Sequence, residues 1–383
     1  MLRELGVDGW LSYDFRGRNP IAAAVLGGGI VGTRRVCAWL PAQGVPVVLV
    51  HAIDWELWEV GHLWPSTWQR YRWVSRSEFK PRLATLVSGR RVAVDYSPDG
   101  AVPYLDAVPA GMVELLRSLG ADVVPSADLV TRFMSAWRPE ERASHVGAAV
   151  IVADIARAAL ALAGASARLP APMTEYALAE WVRERFDRAG LMTESGPSVS
   201  YGANAARTHY EPSSEQSAAI VPGALLLLDL WAKEPGGIYA DQTWMATVGP
   251  PSTRDANVWE TVRSARDTAL DLLRTRVAAR EPVRGGDLDR AAKSVIVRAG
   301  LGAYIESRTG HSIDVYGLHG FGPSVDDTET VDDRLLVPGV GFSVEPGVYI
   351  PGQVGVRSEV NVCVGDGEVL ITPSDAQHDL IVV

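Results

Sequence analysis

The sequence predicts two domains, an α/β domain over residues 1–133 followed by an α+β domain over residues 134–383. Three observations lead there. The chain has 383 residues, more than a single core usually serves. Up to about residue 130, short β-rich runs alternate with helical spacing, the pattern of an α/β domain. Beyond that point, long helical segments alternate with β-rich hairpins. Hydrophobic residues make up 47% of the chain and charged residues 21%, which suits an ordinary globular protein able to bury large cores. The net charge of -10 argues against nucleic acid and against anionic membrane surfaces as partners.

In the first domain, VCAWL, VPVVLVHA, RRVAVDYS and ADVVPS read as strands, and VPYLDAVPAGMVELLRSLG, between the last two, carries a helix. The boundary falls near Met134. A long helical segment follows, and its Pro139, Glu140 and Glu141 suit a first helical turn. A second helix starts at Thr174, a suitable N-cap. A third covers DANVWETVRSARDTALDLLRTRVAAR and a fourth GDLDRAAKSVIVRAG. No apolar run approaches the roughly 20 residues that cross a bilayer, and the N-terminal stretch carries charges where a signal peptide needs apolar residues. Cys37 and Cys363 belong to no metal or redox spacing and read as buried, reduced thiols of a cytoplasmic protein.

Two pairs of acids carry the chemistry. Asp229 and Asp241 both lie six residues from Pro235, and Glu345 and Glu359 both lie seven from Gly352. Each pair flanks a Pro-Gly step between β-rich runs, which reads as a hairpin. Residues equidistant from such a turn stand opposite one another, about 5 Å apart. Four carboxylates in apolar strands are costly to bury without compensation. Divalent cations would cancel their charge, and oxygen ligands with an imidazole suit such ions. His311, preceded by a glycine that permits close backbone approach, supplies the imidazole. The arrangement points to a two-metal hydrolytic site.

The order Asp, Asp, His, Glu, Glu, with EPGVY and GVRSE around the glutamates, resembles the methionine aminopeptidase, prolidase and creatinase ("pita-bread") family, in its prolidase and aminopeptidase P branch. The resemblance runs through residues 134–383, and the first domain is similar to the creatinase-like N-terminal domain of prolidases. It implies a pita-bread catalytic domain with pseudo-two-fold symmetry and two metal ions, manganese foremost, with cobalt or zinc as alternatives. Asp229 would hold one ion bidentately and Asp241 would bridge. His311 and Glu345 would bind the second ion, Glu345 also contacting a bridging hydroxide as general acid and base, and Glu359 would bridge. His209 and His319 would contact substrate, and Arg357 would orient the carboxylates. HGFGPSVDD makes His319 a rival for the imidazole ligand; the TGH context favours His311. Tyr349 is either a support for the ligands or core. The spacing of twelve between Asp229 and Asp241 calls for a bulge or a longer turn, and Val360 stands where the family often has an acid or amide. The implied activity is exopeptidase cleavage of Xaa-Pro bonds in dipeptides or short peptides by a homodimer. A metal-independent creatinase-type hydrolase and a non-catalytic peptide binder are the alternatives, and both would be expected to lose ligands that this chain keeps.

Other signals are weaker. GGGIVG (Gly27 to Gly32) matches GxGxxG in form only, because a strand follows it where a dinucleotide site needs a helix. Trp55, Trp58, Trp64, Trp68 and Trp73 crowd one stretch, read as core packing or as an exposed aromatic patch. No G-x-S-x-G elbow is present.

Overall fold

The computed structural model describes residues 1–27, 32–60, 67–208 and 210–383. The chain forms two compact units, Met1–Phe133 and Met134–Val383.

The first unit has β1 (Gly9–Phe15), α1 (Pro20–Val25), β2 (Arg35–Pro41), β3 (Val47–His51), α2 (Trp55–Val60), β4 (Gln69–Trp73), α3 (Arg76–Val87), β5 (Arg91–Val94), α4 (Ala110–Ser118), β6 (Asp122–Pro125) and α5 (Ala127–Val130). Its sheet runs β4-β3-β2-β1-β5-β6, with only the β1–β2 and β2–β3 pairs antiparallel. Along β2, Val36 and Ala38 join one apolar cluster while Cys37 and Trp39 join another. That alternation buries both faces. Trp58 and Trp73 are buried and Trp55 and Trp68 pack against the Trp58 cluster, so these four tryptophans are core; Trp64 lies outside the described residues. Gly28–Val31 of the glycine run do too, but a helix precedes the run and β2 follows it, the reverse of a dinucleotide-binding turn.

The second unit repeats one arrangement, a helix pair packed on a sheet. The first half has α6 (Pro139–Ser166), α7 (Glu175–Arg188), β7 (Ser198–Tyr201), β8 (Leu225–Ala232) and β9 (Ala240–Thr247). The second has α8 (Thr253–Ala278), α9 (Gly285–Arg298), β10 (Ser312–Ile313), β11 (Gly341–Val344), β12 (Gly347–Ile350), β13 (Val354–Arg357), β14 (Val360–Val364) and β15 (Val369–Thr372). A last strand, β16 (Ile381–Val382), returns to pair with β9. Local chemistry sets the helix starts. Glu141 accepts the Arg138 backbone N–H at 2.7 Å, and Thr174 accepts that of Ala177 at 3.2 Å. Ala148, Val152, Ala159 and Leu160 of α6 pack with Leu178 and Val182 of α7 against Leu226, Leu228 and Leu230 of β8.

One expectation needs correcting here. By length and composition α6 is apolar enough to cross a membrane, with a mean hydropathy of 2.0 over its most apolar window. Half of that window is buried within the protein, because the helix is the spine of a core.

Candidate metal centre

Both acid pairs flank turns with proline second and a left-handed glycine third, as a type II turn requires. Gly237 N–H donates to Glu234 O at 2.8 Å and Gln353 N–H to Ile350 O at 3.0 Å, with φ of 76° at Gly236 and 68° at Gly352. The second hairpin is centred on Gly352 through two successive ladders, Gly347↔Arg357 and then Val344↔Val360. Glu345 and Glu359 therefore face each other where the ladders break, at Pro346, which has no N–H to contribute.

The first hairpin differs from expectation. Asp229 pairs with Thr243, and Asp241 pairs with Trp231, so the two aspartates are diagonal instead of opposite. The ladder is centred on Gly236, and Lys233 is drawn off to bridge Met192. A shift of two residues keeps both side chains on one face. The ladder is regular from Leu225↔Thr247 to Ala232↔Ala240, so the additional residue lies in the turn and not in a bulge.

The sheets of the two halves meet at β9 and β14, where Asn361 Oδ1 accepts the Asp241 N–H at 2.8 Å. At this junction one ligand atom each from Asp241, His311 and Glu359 lies within 4.8 Å of the others. His311 Nε2 is 3.3 Å from both Asp241 Oδ2 and Glu345 Oε1. Arg357 forms a close ion pair with Asp229 and lies 3.7 Å from Glu345 and 4.0 Å from Glu359. His319 stands beside His311, ring centroids 4.2 Å apart. Asp229, Asp241, His311, His319, Glu345, Arg357 and Glu359 all line one cavity of about 460 Å³, which Tyr349 also lines. His209 lies outside the described residues.

Spacing arguments missed three neighbours. Thr243 donates to Glu359 Oε2 at 2.7 Å and accepts from Arg357 Nε at 2.7 Å. Ser343 donates to Glu345 Oε1 at 2.9 Å. Asn361 supplies the amide that Val360, buried in the ladder, does not. All three stand two residues from a ligand candidate, Thr243 on the same strand as Asp241 and the other two in strands that end beside Glu345 and Glu359, so the period of two contained the signal.

The electrostatics are unbalanced. Burial pushes the Asp229 carboxyl up to about 6, against the pull of Arg357 and with Asp241 and Glu345 adding to it. Burial also raises Asp241, although His311 opposes it. Glu359 goes well above the usual carboxylate range through burial and the nearby Asp241 and Glu345. Glu345 alone is held below its ordinary value: burial opposes this, but His311, Arg357 and the Ser343 hydroxyl outweigh it. Two buried and two largely buried carboxylates thus crowd around Arg357, with Arg308 farther along the cavity wall, and Glu359 Oε1 is buried with no hydrogen-bond partner. An orphaned acceptor in a nest of carboxylates and one imidazole fits divalent cations.

A helix-pair-on-sheet repeat that gathers two aspartates, a histidine and two glutamates at its central junction belongs to the pita-bread metallopeptidases. Residues 148–366, more than half of the chain, match metallopeptidase family M24, and the chain belongs to that family. It is 26% identical over 353 residues to the probable dipeptidase PepE of Mycobacterium tuberculosis, covering 90% of this chain and 84% of that protein. It is 33% identical over 198 residues to the Xaa-Pro dipeptidase of Lactobacillus helveticus, covering 50% of this chain and 49% of that one. The crystal structure of dipeptidase PepE from Mycobacterium ulcerans shares the fold at a TM-score of 0.71 and 22% identity, over 100% of this chain and 95% of that one.

Proposed function

We propose that this metallopeptidase is a dinuclear exopeptidase that splits Xaa-Pro bonds in dipeptides or short peptides. The observation that carries the reading is the convergence of Asp241, His311 and Glu359 ligand atoms within 4.8 Å in a cavity shared with Asp229 and Glu345. These five residues would hold two divalent cations, manganese foremost, with cobalt or zinc also suited to the donor set. When bound, such ions acidify a water towards neutral pKa and polarise the scissile carbonyl.

The chain's own residues do the rest. Glu345, held ionised by its neighbours, takes a proton from the attacking water and delivers it to the leaving nitrogen. His319 is pushed down to about 4 by burial and by the charges of His311 and Arg308, so at neutral pH it is a neutral imidazole. Its N–H serves as a donor to the substrate carbonyl as negative charge develops there. His209 is assigned the same kind of contact from its place before the first metal strand. Arg357, through Asp229 and Thr243, fixes the carboxylates in place. Proline at the second position leaves a tertiary amide without an N–H, and the likeness to Xaa-Pro dipeptidases supports that preference. On the same reading the enzyme is a cytoplasmic homodimer; the two buried free cysteines accord with a reducing compartment.

The test is hydrolysis of Ala-Pro and Ala-Pro-Ala by metal-stripped protein with and without manganese. Cleavage of the dipeptide alone defines a dipeptidase, and cleavage of the tripeptide an aminopeptidase. Silence on both with metal bound overturns the proline preference. Glu345→Gln should lower kcat by ~10²–10⁴-fold, whereas Asp241→Ala should lose both metal and activity. Unchanged turnover in either variant sinks the assignment.

A further inference from the structure

The Met1–Phe133 unit has a second concave site. In its sheet every strand except β2 runs the same way, so five strands share one carboxyl-terminal edge. Arg35, at the start of β2, sits opposite Phe15 at the end of β1 and thus on that edge. α3 follows β4 and α4 follows β5, so both helices begin there, and both pack on the same face of the sheet. Open α/β sheets receive ligands at this edge.

Between the first turns of α3 and α4 lies a cavity of about 460 Å³. Arg35, Arg76 and Lys80 line it, and no acidic residue does. Among the described residues none of these three cations has a carboxylate within ion-pair distance, although surface arginines elsewhere in the chain are widely paired. Three uncompensated positive charges in a chain of net charge -10 are a local inversion of field. α4 adds to it. Its N-cap is Pro109, with no side-chain acceptor for the first N–H groups, and Gly111 of that turn is on the cavity wall. An uncapped helix start favours an anion. The rest of the wall includes Tyr13, Trp73 and Phe79, and the Trp73 indole N–H is buried with no hydrogen-bond partner.

We propose that this cavity binds a small organic anion with a planar ring. Its charged group sits at the start of α4 among Arg35, Arg76 and Lys80, and its ring lies against Tyr13, Trp73 and Phe79. The site shares no residue with the metal centre and does not depend on the peptidase reading.

The experiment is calorimetric titration of the full chain with 1-naphthalenesulfonate, a poor metal ligand, alongside the neutral 1-naphthalenemethanol and inorganic sulfate. One sulfonate per chain is expected, with both controls at least tenfold weaker. Arg76→Glu with Lys80→Glu should weaken the sulfonate at least tenfold. Gly111→Leu should abolish binding, because a side chain there enters open space, with nothing within 4 Å of its Cβ. Should Gly111→Leu fail to fold, the charge-reversed pair, on solvent-facing positions of α3, still decides. Absence of sulfonate binding at millimolar concentration, or equal binding by the variants and the native chain, overturns the site. Sulfate binding as tight as the sulfonate overturns the ring-bearing class.

Discussion

At the residue scale, Thr243 shows how much of the centre rests on groups that hold no ion. Its hydroxyl joins Glu359 to Arg357, so one rotor sets the orientation of both. Replacing it with valine keeps the shape and removes the hydrogen bonds. Thr243→Val should cost roughly 10–100-fold in metal affinity or activity, measured by metal titration; an unchanged affinity and kcat would make Thr243 mere packing. His145 is a second case, invisible to spacing arguments. Its Nδ1 donates to the Tyr239 carbonyl at 2.8 Å, so its Nε2 accepts from the Thr372 hydroxyl at 2.7 Å. The neutral ring is fully satisfied, and burial pushes its pKa down to about 4. A depressed folded pKa means stability that is present above about 6.5 and lost as pH falls towards 4, on the order of 3 kcal/mol. Urea melts between pH 7.5 and 4.5 should show that slope in the native chain and a shallower one in His145→Gln. Parallel slopes would remove His145 as the cause.

At the element scale, the strand that delivers His311 lies hard against β11. A Cβ on Gly310 would come within 2.0 Å of the Ser343 carbonyl oxygen, and backbone there has nowhere to move. Ser343 N–H in turn donates to the His311 carbonyl at 2.8 Å. Gly310→Ala should therefore destabilise the Met134–Val383 unit by about 1–3 kcal/mol and lower its metal stoichiometry. Native stability by chemical denaturation would mean that the backbone yields without cost. The long helices make the opposite point. Thr174 as N-cap of α7 and Pro139 at the first turn of α6 were readable from local chemistry, since caps depend on residues within one turn. β1 and β4 were not. β1 does alternate, with Leu11, Tyr13 and Phe15 on one cluster and Ser12 and Asp14 between them, but those polar positions are buried too; β4 is largely exposed, with arginines on both sides of Tyr71, so its apolar signal is only two residues long.

For the molecule as a whole, the four clustered carboxylates predict a dependence of stability on cations. An ion bound only by the folded state at 100 times its Kd adds about 2.7 kcal/mol. For a unit of this size that is roughly 5–10 °C. Chelation should lower the unfolding transition of the Met134–Val383 unit by that amount, and manganese should restore it in a concentration-dependent way. A transition indifferent to chelator would contradict cation binding at this cluster. The α6 helix also belongs to this scale. Its composition alone would suit a bilayer, and only its packing on β8 and β9 identifies it as a core helix.

Sequence alone determined the starts of α6 and α7, the two hairpins and the face on which their acids lie, because caps, Pro-Gly turns and a period of two are short-range properties. Tertiary structure decided the rest. Asp229 slid two residues from its expected partner because the turn takes up the additional residue and the ladder centres on Gly236, which counting from Pro235 does not reveal. Thr243, Asn361 and His145 acquired their roles only when β9 met β14 and α6 met the β15 end, contacts that no local spacing encodes. Which face a side chain takes is set by its immediate neighbours; what it meets there depends on how separate elements pack.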